Sequence, residues 1–200
     1  MSLTINKIIS SLLQIIIFSL IPFLFWYFSA RKKERFRKWI GLKKIKGSKK
    51  TALAIIFVTI FYLAISLGFL KGLNNIASAT SEFQGLEFEA IPAIFVYAIF
   101  NTSFPEEILF RGFFLKRLAS KLGFTKANFI QGLLFGLLHG VMFFPLVGSL
   151  KTILIILLTS LIALLMGYIN EKLSDGSIIP SWIIHATSNF VAGLYVAFFI

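Results

Sequence analysis

The stretch PEEILFRGF, residues 105–113, places two adjacent glutamates and an arginine directly after the uncharged run 90–105. That run is too short to cross a bilayer, because a hydrocarbon core of roughly 30 Å requires about 20 helical residues. It becomes a span only if its helix continues through the three charges to about Lys116. We therefore expect these side chains to lie inside the membrane, where ionisable groups are costly and usually face an interior cavity.

The composition of the whole chain predicts a membrane protein. Of the 200 residues, 58% are hydrophobic and only 14% are charged, whereas about a quarter of a soluble domain is charged. Six long runs lack Asp, Glu, Lys and Arg: 8–30, 51–70, 90–105, 127–150, 152–170 and 176–200. The sequence thus predicts an all-α, polytopic bundle of six transmembrane helices. It forms one domain, 1–200, in which 1–89 supply two accessory spans and 90–200 a four-helix core.

The positive charge predicts the orientation of the bundle. Eleven of the 20 Lys and Arg lie in the loop 31–50, and cytoplasmic loops of membrane proteins are enriched in these residues. We expect this loop and the basic segment 112–126 in the cytoplasm. The loop 71–89, with three glutamates, is then outside together with both termini. Since the net charge of +12 is so concentrated, it indicates membrane topology and anionic lipid rather than a nucleic-acid partner.

Within the basic loop, Phe36, Trp39 and Ile40 follow helical spacing among lysines and arginines. One interpretation is an interfacial amphipathic helix that binds anionic lipid. The other is a basic segment that only sets the topology. The spacing does not separate the two.

Polar side chains within the apolar runs indicate a functional site. Both histidines, His139 and His185, lie in uncharged runs. At ~1.5 Å of rise per helical residue, their distances from the predicted cytoplasmic ends are roughly 20 and 14 Å. On the same measure, Glu106 lies roughly 15 Å and Asn189 roughly 20 Å deep. Three predicted helices therefore bring a carboxylate, two imidazoles and an amide to one layer.

Helical periodicity assigns faces to these residues. Glu107 and Arg111 are four apart, which is the spacing of an ion pair on one helix face. Glu106 lies about 100° away around the helix and is left to face a cavity. Pro105 lacks an N–H and should kink the helix just before the pair.

On the following run, Phe135 and His139 share a polar stripe. Beside it, Gly132, Gly136 and Gly140 form a small-residue stripe, which predicts close packing against another helix.

These residue types permit two kinds of chemistry. A glutamate with a histidine can bind and deprotonate a water, while a second histidine and an asparagine can donate to a developing oxyanion. That set predicts a hydrolase of amides or esters without a covalent intermediate or cofactor. In the alternative, Glu106, His139 and His185 would be three ligands of zinc, with water as the fourth. The absence of an HExxH motif weakens the zinc alternative, but spacing alone does not decide.

Three motifs in this order carry a family resemblance. EEILFRG (106–112) fits EExxxR, FGLLH (135–139) fits FxxxH, and HATSN (185–189) fits HxxxN. With the flanking SIIPSWIIH, they resemble the CAAX protease and bacteriocin-processing family, also called Abi. The resemblance covers about residues 90–195.

The resemblance implies membrane helices around a cavity open toward the cytoplasm, and metal-free, glutamate-dependent cleavage of a peptide bond. By motif position, Glu106 and His139 would activate the water, and His185 and Asn189 would form the oxyanion site. Glu107, Arg111 and Phe135 would support these residues.

The resemblance also indicates the substrate class. Eukaryotic members trim prenylated C-termini, whereas bacterial members resemble peptide processors and immunity proteins. We expect a protein of the bacterial plasma membrane that cleaves a small membrane-associated or lipid-modified peptide. A non-catalytic immunity or peptide-binding protein on the same scaffold is the alternative. A proton-linked transporter is disfavoured because the sequence has no internal repeat.

Overall fold

The computed structural model describes residues 2–72 and 79–200, and all regular structure in these ranges is helical. The predicted all-α class is therefore confirmed. The α-helices are α1 (Leu3–Ser29), α2 (Phe36–Trp39), α3 (Lys49–Gly72), α4 (Glu87–Val96), α5 (Phe104–Glu107), α6 (Lys116–Leu122), α7 (Phe124–Tyr168) and α8 (Ile179–Phe199). A 3₁₀ turn covers Ser81–Phe83, and π-helical segments cover Tyr97–Ser103 (π1), Ile108–Leu115 (π2) and Ile169–Leu173 (π3).

The helix lengths fit an integral membrane protein. Among the described residues, four helical stretches are long and apolar enough to cross a membrane: α1, α3, the continuous stretch Phe124–Leu173, and α8. The stretch from α4 to α6 adds a further helical path, interrupted by π1 and π2. The predicted number of six spans stays a prediction.

Helix α7 is a hairpin of two antiparallel arms, 124–147 and 149–168. Gly148 lies at its apex with φ 73° and ψ 176°, a backbone conformation that residues other than glycine rarely adopt. The small-residue stripe lies on the packed face of the first arm. A Cβ at Gly132 would lie 3.0 Å from the Leu164 side chain, and one at Gly136 would lie 2.5 Å from the Ile156 carbonyl oxygen. The prediction that this stripe allows close helix packing is confirmed.

Gly136→Ala should therefore destabilise the protein by about 1–3 kcal/mol, because the added methyl group is forced against the backbone of the second arm. Gly68→Ala is the matched control, since nothing lies within 4 Å of a Cβ at Gly68 in α3. That control should be neutral or slightly stabilising because alanine favours a helix over glycine. Thermal unfolding of both variants in detergent measures the difference, and equal melting temperatures would contradict the close packing.

The helical stretch that carries the first motif contains two π-helical segments, π1 directly before α5 and π2 directly after it. Pro105 provides no N–H to the helix, and its ring needs space next to the preceding turn. In π1 the hydroxyl groups of Thr102 and Ser103 donate to carbonyl oxygens five residues earlier, at 3.3 and 2.6 Å. The predicted kink before Pro105 thus takes the form of a π-helical segment, a feature common at functional sites.

The three basic regions share one end of the bundle, here called the basic end: residues 31–50, 116–126 and 171–178. Lys116 lies 2.6 Å from Glu171, and the Ile178 amide donates to the Gly41 carbonyl at 2.9 Å. A hydrogen bond from Lys43 at 3.3 Å, with Lys46 at 3.4 Å, lowers the pKa of Asp175 at this end.

The other end of the bundle, here called the opposite end, holds both termini, residues 79–87 and Gly148. Lys7 pairs with Glu82, and the Gln84 amide donates to the Ile200 carbonyl at 2.9 Å. This is the relative arrangement that the charge distribution predicts for the loops and the termini. Residues 73–78 of the predicted outer loop lie outside the described residues.

The apolar stripe in the basic loop packs on protein. Helix α2 has only four residues, and Trp39 and Ile40 are buried against Ile108, Phe113 and Ile178. The apolar side chains of this segment therefore face the bundle rather than lipid, unlike in the interfacial-helix interpretation. Binding of anionic lipid by the exposed basic residues of this loop stays a prediction.

Candidate active site

A cavity of about 610 Å³ lies between α3, α7, α8 and the chain from π1 to α5. The four residues predicted to take part in catalysis line this cavity: Glu106, His139, His185 and Asn189. They come from three elements that are far apart in the sequence. The structure therefore brings together the carboxylate, the two imidazoles and the amide that the depth estimate placed in one layer.

Glu106 presents a carboxylate oxygen with no partner. Its Oε2 is buried and accepts no hydrogen bond, and Nε2 of His185 lies 3.9 Å from it. That distance is too long for a direct hydrogen bond. An unpaired carboxylate oxygen beside an imidazole is suited to accept a proton from a bound water.

His185 is 3% exposed and is held in place by Glu107. Its Nδ1 lies 3.1 Å from Oε1 of Glu107. A carboxylate only accepts, so Nδ1 carries the hydrogen and Nε2 is the ring nitrogen left for Glu106. This contact joins residues 78 positions apart. It was not predicted, because spacing within one helix carries no information about contacts between helices.

The predicted ion pair between Glu107 and Arg111 is present, with Nη1 and Oε1 2.9 Å apart and both side chains fully buried. The Arg111 guanidinium lies over the Phe135 ring, 4.4 Å from its centroid. A buried cation is stabilised by such a ring face. Oε1 of Glu107 thus contacts both Arg111 and His185. Through this one oxygen, the ion pair holds the His185 ring in its orientation.

Phe135 contacts both the Arg111 guanidinium and the second histidine, His139. Its ring centroid is 4.4 Å from that of His139, and its carbonyl oxygen lies 2.9 Å from Nδ1 of His139. Since a carbonyl oxygen only accepts, Nδ1 donates and Nε2 is the remaining nitrogen of this half-buried ring. The sequence placed Phe135 correctly beside His139 because both follow one helical stripe.

Asn189 connects α8 to π1. Its amide nitrogen donates to the Thr102 hydroxyl at 2.8 Å and to the Ser103 hydroxyl at 3.3 Å. These two bonds use both amide hydrogens, while the side chain still lines the cavity. Donation from Asn189 to an oxyanion stays a prediction, and it requires that one of these bonds be exchanged for the substrate.

Asn170 and Ser181 form a polar pair that was not predicted from the sequence. The Asn170 amide donates to the Ser181 hydroxyl at 2.6 Å, and Asn170 Oδ1 accepts from the Ser181 backbone amide at 3.2 Å. Both side chains are fully buried. The pair joins π3 to the start of α8, where Pro180 occupies the first turn. The sequence feature that could have indicated this pair is Asn170 itself, an asparagine at the end of the uncharged run 152–170.

Helix α3 forms one wall of the site, although it comes from the segment expected to supply accessory spans. Tyr62, Ile65, Ser66 and Phe69 line the cavity, and the Tyr62 ring lies 6.1 Å from the His185 ring. Tyr62 was not predicted as a site residue, because an aromatic residue in an apolar span carries no polar pattern.

The residues do not assemble the zinc site that the sequence left open. Within residues 2–72 and 79–200, no three His, Cys, Asp or Glu side chains come close enough together to hold a metal ion. The candidate ligands Glu106, His139 and His185 share the cavity but not one coordination sphere. The metal-free mechanism stays a prediction.

The cavity extends from Glu106 toward the opposite end. Near the opposite end, the cavity is lined by residues such as Gln84, Leu146 and Ile200. The expected opening of the cavity toward the cytoplasm stays a prediction, as does the cytoplasmic position of the basic loop.

Comparison with known protein families shows which family the chain resembles. Residues 88–191 match the family described as type II CAAX prenyl endopeptidase, Rce1-like. No curated protein and no solved structure matches the chain significantly. The matched range begins just after the start of α4 and ends within α8, so it contains all three motifs.

Proposed function

Since the chain belongs to the Rce1-like family of type II CAAX prenyl endopeptidases, we propose that it hydrolyses a peptide bond of a small membrane-associated or lipid-modified peptide. The protein is an integral membrane protein, and we place it in a bacterial plasma membrane. The observation that carries the proposal is the unpaired Oε2 of Glu106 beside Nε2 of His185. Nothing else in the described site satisfies that oxygen.

Glu106 is the general base in this proposal. It accepts a proton from a water in the cavity as the water oxygen attacks the carbonyl carbon of the scissile bond. A carboxylate in a low-dielectric site suits this transfer because it is poorly solvated. His139, whose Nδ1 is occupied by the Phe135 carbonyl, offers Nε2 to hold the same water.

His185 and Asn189 stabilise the oxyanion that forms on the carbonyl oxygen. Protonated at Nε2, His185 donates a hydrogen bond there, and Glu107 at 3.1 Å from Nδ1 stabilises the positive ring. When the tetrahedral intermediate collapses, the C–N bond breaks and the proton held by Glu106 passes to the leaving amine. Donors fixed before the reaction are worth more than mobile water in such a site.

The proposed contacts outside the cavity follow from charge. The basic residues 31–38 are mostly exposed, and we propose that they contact anionic lipid headgroups on the cytoplasmic side. The cavity walls above the catalytic residues are mainly apolar, with Phe69, Met142 and Val196 among them. Such walls suit an apolar or lipid-modified peptide.

The proposal predicts a cleavage product that depends on Glu106. Wild type and Glu106→Ala are expressed at equal membrane levels in a host that lacks the gene, and mass spectrometry compares the membrane and secreted peptides. A peptide made only by wild type, and lost also with His139→Ala, identifies the reaction and the substrate. Both side chains line the cavity, so the two variants should give the same loss.

Identical peptide profiles for wild type and Glu106→Ala would contradict the proposal. If a protective phenotype were retained by Glu106→Ala at the same time, the protein would be a binding or immunity protein on a protease scaffold. Equal membrane levels of the variants are the control for folding.

A further inference from the structure

Asn189 has no amide hydrogen left for an oxyanion in this structure. It donates one to the Thr102 hydroxyl at 2.8 Å and the other to the Ser103 hydroxyl at 3.3 Å. On His185, Nδ1 is engaged with Glu107 at 3.1 Å, so Nε2 is the ring nitrogen that can reach an oxyanion. Donors contribute most to catalysis when nothing has to rearrange during the reaction. A further donor that is already free beside His185 would therefore complete the oxyanion site.

Tyr62 of α3 lies beside His185 in the cavity wall. The centroids of the two rings are 6.1 Å apart and their planes are inclined by 45°. The Tyr62 side chain lines the same cavity as Glu106. Among the charged side chains around Tyr62, Glu106 has the largest electrostatic effect on its hydroxyl group. Tyr62 thus belongs to the cluster that surrounds the proposed position of the scissile bond.

Packing fixes the Tyr62 ring in this place. The ring is half-buried and packs against an apolar cluster that joins α3 to α7, π3 and α8: Val58, Ile162, Met166, Ile169 and Ile184. Ile65, Ser66 and Phe69 also line the cavity, and with Tyr62 they follow the spacing of one helix face. The fold therefore sets the position of the hydroxyl group before any substrate binds.

The fold itself does not use the Tyr62 hydroxyl. Within residues 2–72 and 79–200 it makes no hydrogen bond, although a buried tyrosine hydroxyl usually finds a partner. The enclosed polar atoms without a partner do not include it, so it is accessible from the cavity. A phenol both donates and accepts, and here its hydrogen is available to a substrate.

Position distinguishes Tyr62 from the other hydroxyl groups of the wall. Tyr97 lines the cavity as well, but its ring packs against Phe83, with centroids 5.4 Å apart. Ser66 follows Tyr62 by one helical turn, away from the catalytic residues. Among the described tyrosines, Tyr62 is the one whose ring contacts a catalytic histidine.

We propose that Tyr62 is a further catalytic residue, whose hydroxyl group donates a hydrogen bond to the oxyanion beside Nε2 of His185. The assignment rests on the proposed function. The hydroxyl keeps its proton throughout, so the proton transfers between water, Glu106 and the leaving amine are unchanged. Helix α3 precedes the matched residues 88–191, so this donor comes from a part of the chain that the family match does not include.

Tyr62→Phe tests the proposal because it removes the hydroxyl group and keeps the packed ring. The substrate is a synthetic precursor of the peptide that appears with wild type and is lost with Glu106→Ala, and the purified protein is assayed in lipid vesicles. We expect kcat to fall by about 10²- to 10³-fold, as for the loss of one oxyanion donor. KM and the unfolding temperature should stay at the wild-type values.

Tyr195→Phe is the matched control. Tyr195 is also half-buried in a long apolar helix, and its ring stacks on Phe199, outside the cavity lining. Its kcat should equal that of wild type. An equal loss in both tyrosine variants would overturn the assignment, since the effect would then not belong to the site.

The remaining outcomes separate this proposal from the proposed function. A Tyr62→Phe protein with the wild-type kcat, alongside an inactive Glu106→Gln protein, would overturn the role of Tyr62 alone. A raised KM with an unchanged kcat would also overturn it, because the hydroxyl would then bind the substrate and not the oxyanion. If no peptide depends on Glu106, the proposed function fails and the role of Tyr62 fails with it.

Discussion

Glu106→Gln is expected to lower the rate of peptide-bond cleavage by about 10²- to 10⁴-fold, which is the range that a positioned general base contributes. The amide retains the size and the hydrogen-bonding oxygen of the side chain but does not accept the proton of the attacking water. Because Glu106 Oε2 has no partner in the structure, the substitution breaks no native bond. The measurement is the initial rate of product formation by purified protein in lipid vesicles.

Glu89→Gln is the matched control for this variant. It makes the same chemical change at an exposed acid of α4, near the opposite end and away from the catalytic residues. Its rate should equal that of wild type, and both variants should unfold at the wild-type temperature. A Glu106→Gln protein that cleaves at the wild-type rate would remove Glu106 from the mechanism.

Removing one member of the buried Glu107–Arg111 pair should lower the free energy of unfolding by about 3–5 kcal/mol, because the remaining charge is left without its partner. Glu107→Leu leaves the Arg111 guanidinium in a fully buried site. Arg111→Met leaves the Glu107 carboxylate with only Nδ1 of His185, 3.1 Å away, as a partner. Thermal unfolding in detergent should show a large loss for either single variant.

The double variant Glu107→Leu/Arg111→Met separates charge from packing. Replacing a whole buried pair by apolar residues of similar size is often nearly neutral, so the double variant should recover most of the lost stability. Its activity should stay low because Nδ1 of His185 has lost its acceptor. A double variant as unstable as the sum of the singles would contradict the pair as the cause.

An exposed pair of the same spacing is the control for the stability effect. The side chains of Glu34 and Lys38, at positions i and i+4, lie 3.2 Å apart, and the Lys38 side chain is mostly exposed. Glu34→Gln should cost less than ~1 kcal/mol because solvent screens such pairs. A cost there as large as that of Glu107→Leu would show that burial is not the reason.

The parts of the site that were predictable from the sequence are those that depend on one helix. The Glu107–Arg111 pair, the position of Phe135 next to His139 and the glycine stripe all follow from a period of 3.6 residues. The presence of Glu106, His139 and His185 at similar depth also followed, since helical rise is constant. These predictions needed only the assumption that each apolar run is a helix.

The depth estimate carried no information about which end of the site is open. The same residues at the same depth are compatible with a cavity on either side, and the family resemblance supplied the expectation of a cytoplasmic one. At the basic end, Asn170 bonds to Ser181, and Ile40 of the basic loop packs with Ile178. These contacts join different elements of the fold, so no local pattern indicates them.

By itself, the sequence determined that this protein spans a membrane, which polar side chains lie in its interior, and which of them pair along one helix. Those properties depend on hydropathy and on local helical geometry, which are present in the chain before it folds. Only the tertiary structure decided that Glu107 holds His185, that α3 supplies a wall of the site, and that the basic loop packs against the start of α8. Each of these is a contact between helices, and such contacts form only when side-chain packing selects one arrangement of the bundle.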